Sequence, residues 1–206
     1  MRPLPVGEDA LLVECASGEE AGALHAELLR RRSEGTLTGV TEIVPAARTV
    51  LLRGLTEPRR FATLLAQWDI PPMPPAMRET VEIPVRYDGP DLAEVASMWG
   101  VTTGEVARIH SQARFRVAFC GFAPGFGYLT GLPERYAVPR MATPRTAVPA
   151  GSVGLAGAYT GIYPRSSPGG WQLIGTTDAV LWDPAREPAA LLAPGTPVRF
   201  VADGAL

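Results

Sequence analysis

The stretches that decide the fold lie between positions 119 and 175. Residues 121–128 read GFAPGFGY, residues 139–153 read PRMATPRTAVPAGSV, and residues 161–175 read GIYPRSSPGGWQLIG. Proline lacks the amide hydrogen that a helix or a central strand needs, and glycine loses the most entropy when it is fixed. Glycine and proline at this density, interleaved with Phe, Tyr, Trp and Arg, therefore predict short strands and tight turns. Such a backbone can present amides, aromatic rings and guanidinium groups to a ligand, or its glycines can simply turn the corners of a loop-rich β barrel.

Short apolar segments separated by turn residues continue on both sides of these stretches. The pattern predicts strands at residues 81–87, 117–119, 153–156, 172–175, 179–182 and 198–201. Many short strands with frequent turns favour a closed or nearly closed β barrel, which we place at residues 80–206. A pair of helices interrupts it: Asp91 caps the first, Gly100 ends it, and Thr102 or Thr103 starts the second.

These two helices have the spacing of a helix-turn-helix, so DNA recognition has to be considered. The second helix offers only Arg108 and His110 as polar side chains that reach outward, and Glu105 would face a phosphate. The net charge of the chain is −2, which gives no general attraction for nucleic acid. We therefore expect no nucleic-acid partner.

The first 70 residues have a different pattern. An apolar strand at residues 10–13 precedes a helix that Ser17 caps, with Glu20 in the capping-box position, and that ends near Gly35. Strands at 40–44 and 49–53 and a second helix follow, and the start of the chain has room for an extra strand. This order predicts a small ferredoxin-like α+β domain at residues 1–70. The stiff run PPMPP predicts a linker at residues 71–79.

Composition excludes several classes of protein. Hydrophobic residues make up 46% of the 206 residues, enough for a core, but no apolar run approaches the length of about 20 residues that a membrane span needs. Glu8 and Asp9 interrupt the amino-terminal segment where a secretory signal would be apolar, so the expectation is a cytoplasmic protein without membrane association. All 19 basic residues are arginine, which excludes a P-loop and a lysine Schiff base. Two cysteines and two histidines without ligand spacing predict no metal site.

Two kinds of side chain could carry chemistry. His110, the one histidine in the predicted barrel, could act as an acid or base near neutral pH, or could be a helix-end histidine that bonds a carbonyl. Arg140 and Arg145 each follow a proline, so they could clamp a carboxylate or phosphate by paired hydrogen bonds, or could be surface charges. We take His110 and Arg145 as the candidate catalytic residues.

The SPGGW loop could cradle an anion, because small residues leave backbone amides accessible. Tyr163 and Trp171 flank it and could supply a flat apolar wall, or could pack in the barrel. No order of Ser, His and Asp supports a nucleophile. The candidate substrate- or nucleotide-binding residues are Phe122, Pro124, Gly125, Phe126, Arg140, Thr160, Tyr163, Ser167, Gly169, Gly170 and Trp171.

The three stretches together resemble the family called allophanate hydrolase subunit 1, also known as the carboxyltransferase B-subunit family. The motifs that carry the resemblance are GF-x-PGF-x-YL, PR-x-x-TPR-x-x-VP-x-GSV and IYP-x-x-SPGGW-x-LIG, in that order. The resemblance implies a cyclophilin-like barrel after the α+β domain. His110 matches the histidine in the "IH" position of the family. Ala158 and Tyr159 stand where the family usually has amide side chains, and Gly127 where proline is common.

The resemblance also implies a function. The family includes the B subunit of bacterial ATP-dependent 5-oxoprolinase, which cleaves the 5-oxoproline lactam to glutamate. It does so with a C subunit of the carboxyltransferase family and with an A subunit of lactam-utilisation type. Because this chain has arginines and a glycine-rich loop but no complete nucleotide motif, we expect it to supply part of a composite site and to be inactive alone. ATP would be bound by the assembled complex.

Two alternatives to this function stay open. The first is a biotin-dependent carboxyltransferase or allophanate-hydrolase-type subunit, which would need a separate biotin carrier because the chain has no MKM motif. The second, from another class, is a KipI-like inhibitor of a histidine kinase. In that case the exposed aromatic side chains would serve as anchors for a protein partner.

Overall fold

The computed structural model describes residues 1–72 and 79–204. The chain separates into two compact units, Met1–Pro75 and Ala76–Leu206. Most of the predicted proline-rich linker, at positions 73–78, lies outside the described residues.

The first unit is a four-stranded antiparallel sheet with two helices. Its elements are β1 (Arg2–Val6), β2 (Ala10–Glu14), α1 (Gly18–Ser33), β3 (Glu42–Pro45), β4 (Thr49–Arg53) and α2 (Pro58–Leu65). The strand order is β1-β2-β4-β3, so the extra first strand occupies an edge of the sheet beside β2. The hydroxyl of Ser17 accepts a hydrogen bond from the amide of Glu20, which confirms the predicted start of α1. The α+β prediction for this unit is confirmed.

The second unit is built on a seven-stranded sheet in the order β12-β9-β10-β7-β6-β13-β5. Its elements are β5 (Val81–Val85), α3 (Leu92–Trp99), α4 (Thr103–Gln112), β6 (Phe115–Cys120), β7 (Gly127–Thr130), β8 (Arg145–Val148), β9 (Ser152–Ala156), β10 (Tyr159–Ile162), β11 (Ser167–Gly169), β12 (Gln172–Thr176) and β13 (Pro197–Ala202). Arg86, just after β5, and Thr176, in β12, exchange backbone hydrogen bonds of 2.9 and 2.8 Å. This bridge joins the two edge strands and nearly closes the sheet into a barrel, as predicted.

Two apolar layers lie on opposite faces of the barrel wall. Inward side chains such as Ile83, Leu129 and Phe200 form the main core, to which α3 and α4 also contribute. The outward layer consists of Phe126, Val148, Ala156, Tyr163, Trp171 and Leu173. The separate two-stranded sheet of β8 and β11 supplies Val148 to this second layer. Since side chains alternate along a strand, β10 contributes Thr160 and Ile162 to the inside and Gly161 to the outside.

The helix pair has the predicted boundaries. Gly100 ends α3 in the left-handed conformation, with φ of 67°, and Thr102 and Glu105 form a complete capping box at the start of α4. Val106, Ala107 and His110 of α4 are buried. The inner face of α4 is therefore part of the barrel core. None of the helices in residues 1–72 and 79–204 is long and apolar enough to cross a bilayer.

Candidate functional site

Asp91 connects three elements of the second unit through hydrogen bonds. It occupies the predicted N-cap position of α3, but its side chain makes no capping hydrogen bond. One carboxylate oxygen instead accepts a 2.7 Å hydrogen bond from Nη2 of Arg145, and the other accepts a 2.6 Å bond from the amide of Leu173. The amide of Asp91 in turn donates to the carbonyl of Leu173 at 3.0 Å. A single buried carboxylate thus connects the start of α3 with β8 and β12.

Arg145 is accordingly a half-buried, paired residue. Its side chain is 25% exposed, and Nη1 lies 3.5 Å from the carbonyl oxygen of Trp171. Because the carboxylate of Asp91 balances its charge, Arg145 contributes less to binding an external anion than a free guanidinium would. Sequence reasoning missed this pairing, because 54 residues separate the partners.

Arg140 has the opposite environment. Its side chain is exposed and, within the described part of the chain, makes no hydrogen bond or ion pair. Both Arg140 and Arg145 influence the pKa of Tyr163. Burial raises the pKa of Tyr163, and the two guanidinium groups, together with a hydrogen bond to the backbone of Trp171, oppose that rise. Of the two predicted arginines, Arg140 is therefore the one without a carboxylate partner among the described residues.

The SPGGW loop packs tightly against the hydroxyl of Tyr163. A Cβ atom on Gly169 would lie 2.2 Å from the hydroxyl oxygen of Tyr163, so only glycine fits at this position. The carbonyl of Gly170 accepts a 2.8 Å hydrogen bond from the amide of Met141, which ties the loop to the PRMATPR stretch. The hydroxyl of buried Ser167 donates to the carbonyl of Arg165 at 3.2 Å. The predicted loop residues are thus brought together with the arginines.

The predicted aromatic wall is mostly a packing layer. Phe126, Tyr163 and Trp171 are at most 4% exposed, and the ring of Phe126 lies edge-on to both others with centroids 5.5 Å apart. Gly161 leaves the space that these rings fill, since a Cβ there would meet Phe126 at 2.9 Å and Trp171 at 3.0 Å. These three rings therefore support the site from beneath and offer little surface to a ligand.

Phe122 is the aromatic residue of this group that reaches solvent. Its side chain is 58% exposed, and its backbone has φ of 68°, a left-handed conformation that bulky residues rarely adopt. Pro124, two residues further on, is exposed, and Gly125, with φ of 84°, packs against Trp182. The GFAPGFGY stretch therefore presents the ring of Phe122 outward, whereas the ring of Phe126, a candidate binding residue of the same stretch, is buried.

His110 and Thr160 lie inside the barrel, apart from the arginines. His110 has no exposed surface; Nδ1 lies 2.8 Å from the hydroxyl of Tyr87 and Nε2 lies 3.2 Å from the hydroxyl of Thr160. The ring packs against Phe115 and Phe200, and burial lowers its pKa to about 3. An enclosed, neutral imidazole exchanges no proton with a surface ligand near neutral pH. A catalytic role for His110 stays a prediction, and this geometry favours a role in positioning β10 through Thr160.

Residues 1–72 and 79–204 contain no group of three or more His, Cys, Asp or Glu side chains placed to hold a metal ion. Burial raises the pKa of the Cys120 thiol to about 11, so it is protonated at neutral pH.

A cleft of about 430 Å³ lies between α4 and residues 131–136, and another of about 420 Å³ lies beside α2 in the first unit. Neither of these two clefts is lined by Arg140, Arg145, Tyr163 or the SPGGW loop.

Solved structures share this architecture. The protein TTHA0988 matches 96% of this chain with a TM-score of 0.80 and 36% identity, over 41% of its own length. The conserved uncharacterised protein PH0987 from Pyrococcus horikoshii matches 98% of this chain and 97% of its own, with a TM-score of 0.59 and 34% identity. The urea carboxylase of Kluyveromyces lactis matches 98% of this chain with a TM-score of 0.72, over 22% of its own length. At 20% identity this last match shows the fold alone.

The family follows from the sequence match. Residues 1–192 match the family model described as the carboxyltransferase domain, subdomains C and D, and the chain belongs to this family. It is 54% identical over 124 residues to the B subunit of 5-oxoprolinase from Escherichia coli O157:H7, and 50% identical over 127 residues to the corresponding protein of Bacillus subtilis. These matches cover 59% and 60% of this chain, and 57% and 53% of the relatives. The match thus spans little more than half the length of these curated relatives. The resemblance based on the three stretches is confirmed.

Proposed function

We propose that this chain is one subunit of a multi-subunit, ATP-dependent 5-oxoprolinase and contributes one face of a composite active site. The observation that carries the proposal is its 50–54% identity to proteins named as the B subunit of 5-oxoprolinase. The partners are the C subunit of the carboxyltransferase family, which we call the carboxyltransferase partner, and the A subunit of lactam-utilisation type, which we call the lactam-utilisation partner. The candidate residues around Arg140 and the SPGGW loop line neither of the two clefts. A site that is completed by a partner subunit accounts for this position.

The chemistry of the reaction explains what this face would do. An unstrained amide is a poor electrophile, so we infer that the γ-phosphoryl group of ATP passes to the lactam oxygen and releases ADP. Water then adds to the activated carbon and the C–N bond opens, which leaves an acyl phosphate of glutamate. A second water molecule hydrolyses this acyl phosphate, which releases phosphate and gives glutamate. Both the phosphoryl group and the substrate carboxylate are anions, and a guanidinium with no internal partner is suited to bind either of them.

Arg140 is the residue that we assign to this anion. Arg145 and Asp91 hold the surrounding backbone, and Gly169 allows the SPGGW loop to lie against Tyr163. His110 and Thr160 act from inside the barrel as positioning residues for β10, whose outer face supports the aromatic layer. The binding of ATP belongs to the assembled complex.

Reconstitution tests this proposal. The purified chain is mixed with both partners, ATP and 5-oxoproline, and glutamate and ADP are measured. We expect turnover only when all three proteins are present, with one ADP formed for each glutamate. Turnover by the chain alone would overturn the composite site. Carboxylation that requires biotin and bicarbonate would support the carboxyltransferase alternative, and inhibition of a histidine kinase without any turnover would support the regulatory one.

A further inference from the structure

A chain of side-chain hydrogen bonds crosses the interior of the second unit from Tyr87 to Thr160. The hydroxyl of Tyr87, two residues after β5, lies 2.8 Å from Nδ1 of His110. Nε2 of His110 lies 3.2 Å from the hydroxyl of Thr160 on β10. His110 and Thr160 are at most 1% exposed. Elements that are distant in the sequence, namely the end of β5, α4 and β10, are therefore joined by polar groups inside an apolar core.

Neither Tyr87 nor His110 is charged near neutral pH. Burial raises the pKa of Tyr87 and lowers the pKa of His110 to about 3, so the phenol keeps its hydrogen and the imidazole carries a single ring hydrogen. That ring hydrogen can lie on Nδ1 or on Nε2. Its position decides which group donates in each of the two hydrogen bonds.

The two distances favour a hydrogen on Nε2. O–H donors make shorter hydrogen bonds than N–H donors. The 2.8 Å bond therefore fits a phenol that donates to Nδ1, and the 3.2 Å bond fits an Nε2–H group that donates to the threonine hydroxyl. A phenol is also a stronger acid than an aliphatic hydroxyl, and so a better donor. In the opposite arrangement Tyr87 would donate to Ser111, which also bonds its hydroxyl, and would accept from Nδ1.

The bond to Thr160 supports β10 on its less extensively paired side. β10 pairs with β9 at four positions and with β7 at one, where Thr160 lies opposite Leu129. The next residue, Gly161, faces outward, and a Cβ there would lie 2.9 Å from Phe126 and 3.0 Å from Trp171. A displacement of β10 at Thr160 would therefore reach the aromatic layer that supports the candidate site.

We propose that Tyr87 is a positioning residue, which donates to Nδ1 of His110 and so fixes the imidazole as the tautomer whose Nε2–H group holds Thr160 and β10 in place. This inference adds a residue and a direction of hydrogen bonding to the positioning role of His110, and its effect on turnover rests on the proposed function. Without the phenol, the ring hydrogen is free to move to Nδ1, and the hydroxyl of Thr160 then loses its donor.

Histidine NMR of the full chain tests the tautomer directly. The chain has two histidines, so isotope-labelled histidine gives two sets of ring signals, and the variant His25→Gln identifies the set that belongs to His110. We expect a single tautomer near neutral pH, with its hydrogen on Nε2. In Tyr87→Phe, which keeps the ring, the Nδ1 signal should shift to that of a nitrogen without a donor. Tyr136→Phe is the matched control, because that hydroxyl lies 3.5 Å from Arg135 at the surface, and it should leave the His110 signals unchanged.

Turnover of the reconstituted complex tests the positioning role. Tyr87→Phe should lower kcat at least about tenfold, because small displacements of binding groups are costly in rate. A thermal melt shows that the variant is folded at the assay temperature, so that unfolding is not the cause. Tyr136→Phe should turn over as the unchanged chain does.

The outcomes separate this inference from the proposed function. A His110 ring with its hydrogen on Nδ1, or ring signals that do not change in Tyr87→Phe, would overturn the assignment of Tyr87 as the donor. Full turnover by Tyr87→Phe in an active complex would overturn its positioning role. If the complex with the unchanged chain shows no turnover, the proposed function fails, and the NMR signals still decide whether Tyr87 donates to His110.

Discussion

The guanidinium of Arg145 and the carboxylate of Asp91 meet at 2.7 Å, although they lie 54 residues apart in the sequence. The same carboxylate accepts the amide of Leu173 at 2.6 Å, so three elements depend on one buried charge. Replacing one partner of such a pair leaves the other charge without compensation. The pair therefore has a structural role, because it joins the start of α3 to β8 and β12.

We expect Arg145→Gln to lower the free energy of unfolding by about 2–4 kcal/mol, because Asp91 is left buried without its cation. Urea denaturation of the full chain measures this. Arg199→Gln is the control, since Arg199 pairs with Glu82 on the surface and its loss should cost about 0.5 kcal/mol or less. Equal costs for the two variants would contradict a structural role for Arg145. The pairing also makes Arg145 a poor probe of catalysis, because a change there alters stability.

Arg140 is the cleaner probe of the anion site. Arg140→Lys keeps the positive charge but loses the forked geometry, so the assembled complex should lose at least about tenfold in kcat/KM, or about 1.4 kcal/mol. Its melting temperature should not change, since the side chain is exposed and unpaired within the described residues. Arg135→Lys, on the surface over the ring of Tyr136, should leave turnover unchanged. Full turnover by Arg140→Lys would remove this residue from the site.

Gly169 and Tyr163 should be coupled. Gly169→Ala places a methyl group 2.2 Å from the hydroxyl of Tyr163, so the loop must shift, and we expect a loss of stability of about 1–3 kcal/mol. Tyr163→Phe removes the hydroxyl and should recover part of that loss when the two changes are combined. Gly157→Ala offers a comparison, because no atom lies within 4 Å of a Cβ at Gly157, although its φ of 56° adds strain. A double variant that shows purely additive losses would contradict the contact.

His110 should make stability depend on pH. Burial lowers its pKa in the folded protein to about 3, whereas an unfolded histidine titrates near 6.5. Below about pH 6.5 the unfolded chain therefore binds a proton that the folded chain does not, and stability falls by about 1.4 kcal/mol for each pH unit down to about 3. Urea denaturation at about pH 7.5 and about pH 5.5, on either side of the unfolded pKa, measures the difference.

The variant His110→Gln should lose most of this dependence. His25, whose pKa is lowered by burial and by Arg32, contributes in the same direction and is present in both proteins, so the comparison isolates His110. If the variant is too unstable to compare, histidine NMR of the unchanged chain decides the matter. A His110 resonance that titrates near the ordinary histidine pKa of about 6.5 would mean that the ring is not enclosed.

Local sequence patterns predicted much of the architecture. Ser17, Gly100 and the capping box of Thr102 and Glu105 act within one turn of the helix end that they fix, so their effect can be recognised without the fold. The density of glycine and proline after residue 120 likewise indicated short strands and turns. The pairing of β8 with β11 brings Arg145 beside the SPGGW loop, and a binding role for these residues stays a prediction.

The sequence by itself thus determined the two kinds of folding unit, the ends of several helices and the family to which the chain belongs. Only the tertiary structure decided that Asp91 leaves its helix cap for Arg145, that His110 faces the core and that Phe122 points outward. The reason is physical: closing the barrel brings β12 beside the start of α3 and sets α4 against β13. Whether a polar side chain is buried, paired or free depends on these distant neighbours, and no spacing along the chain encodes them.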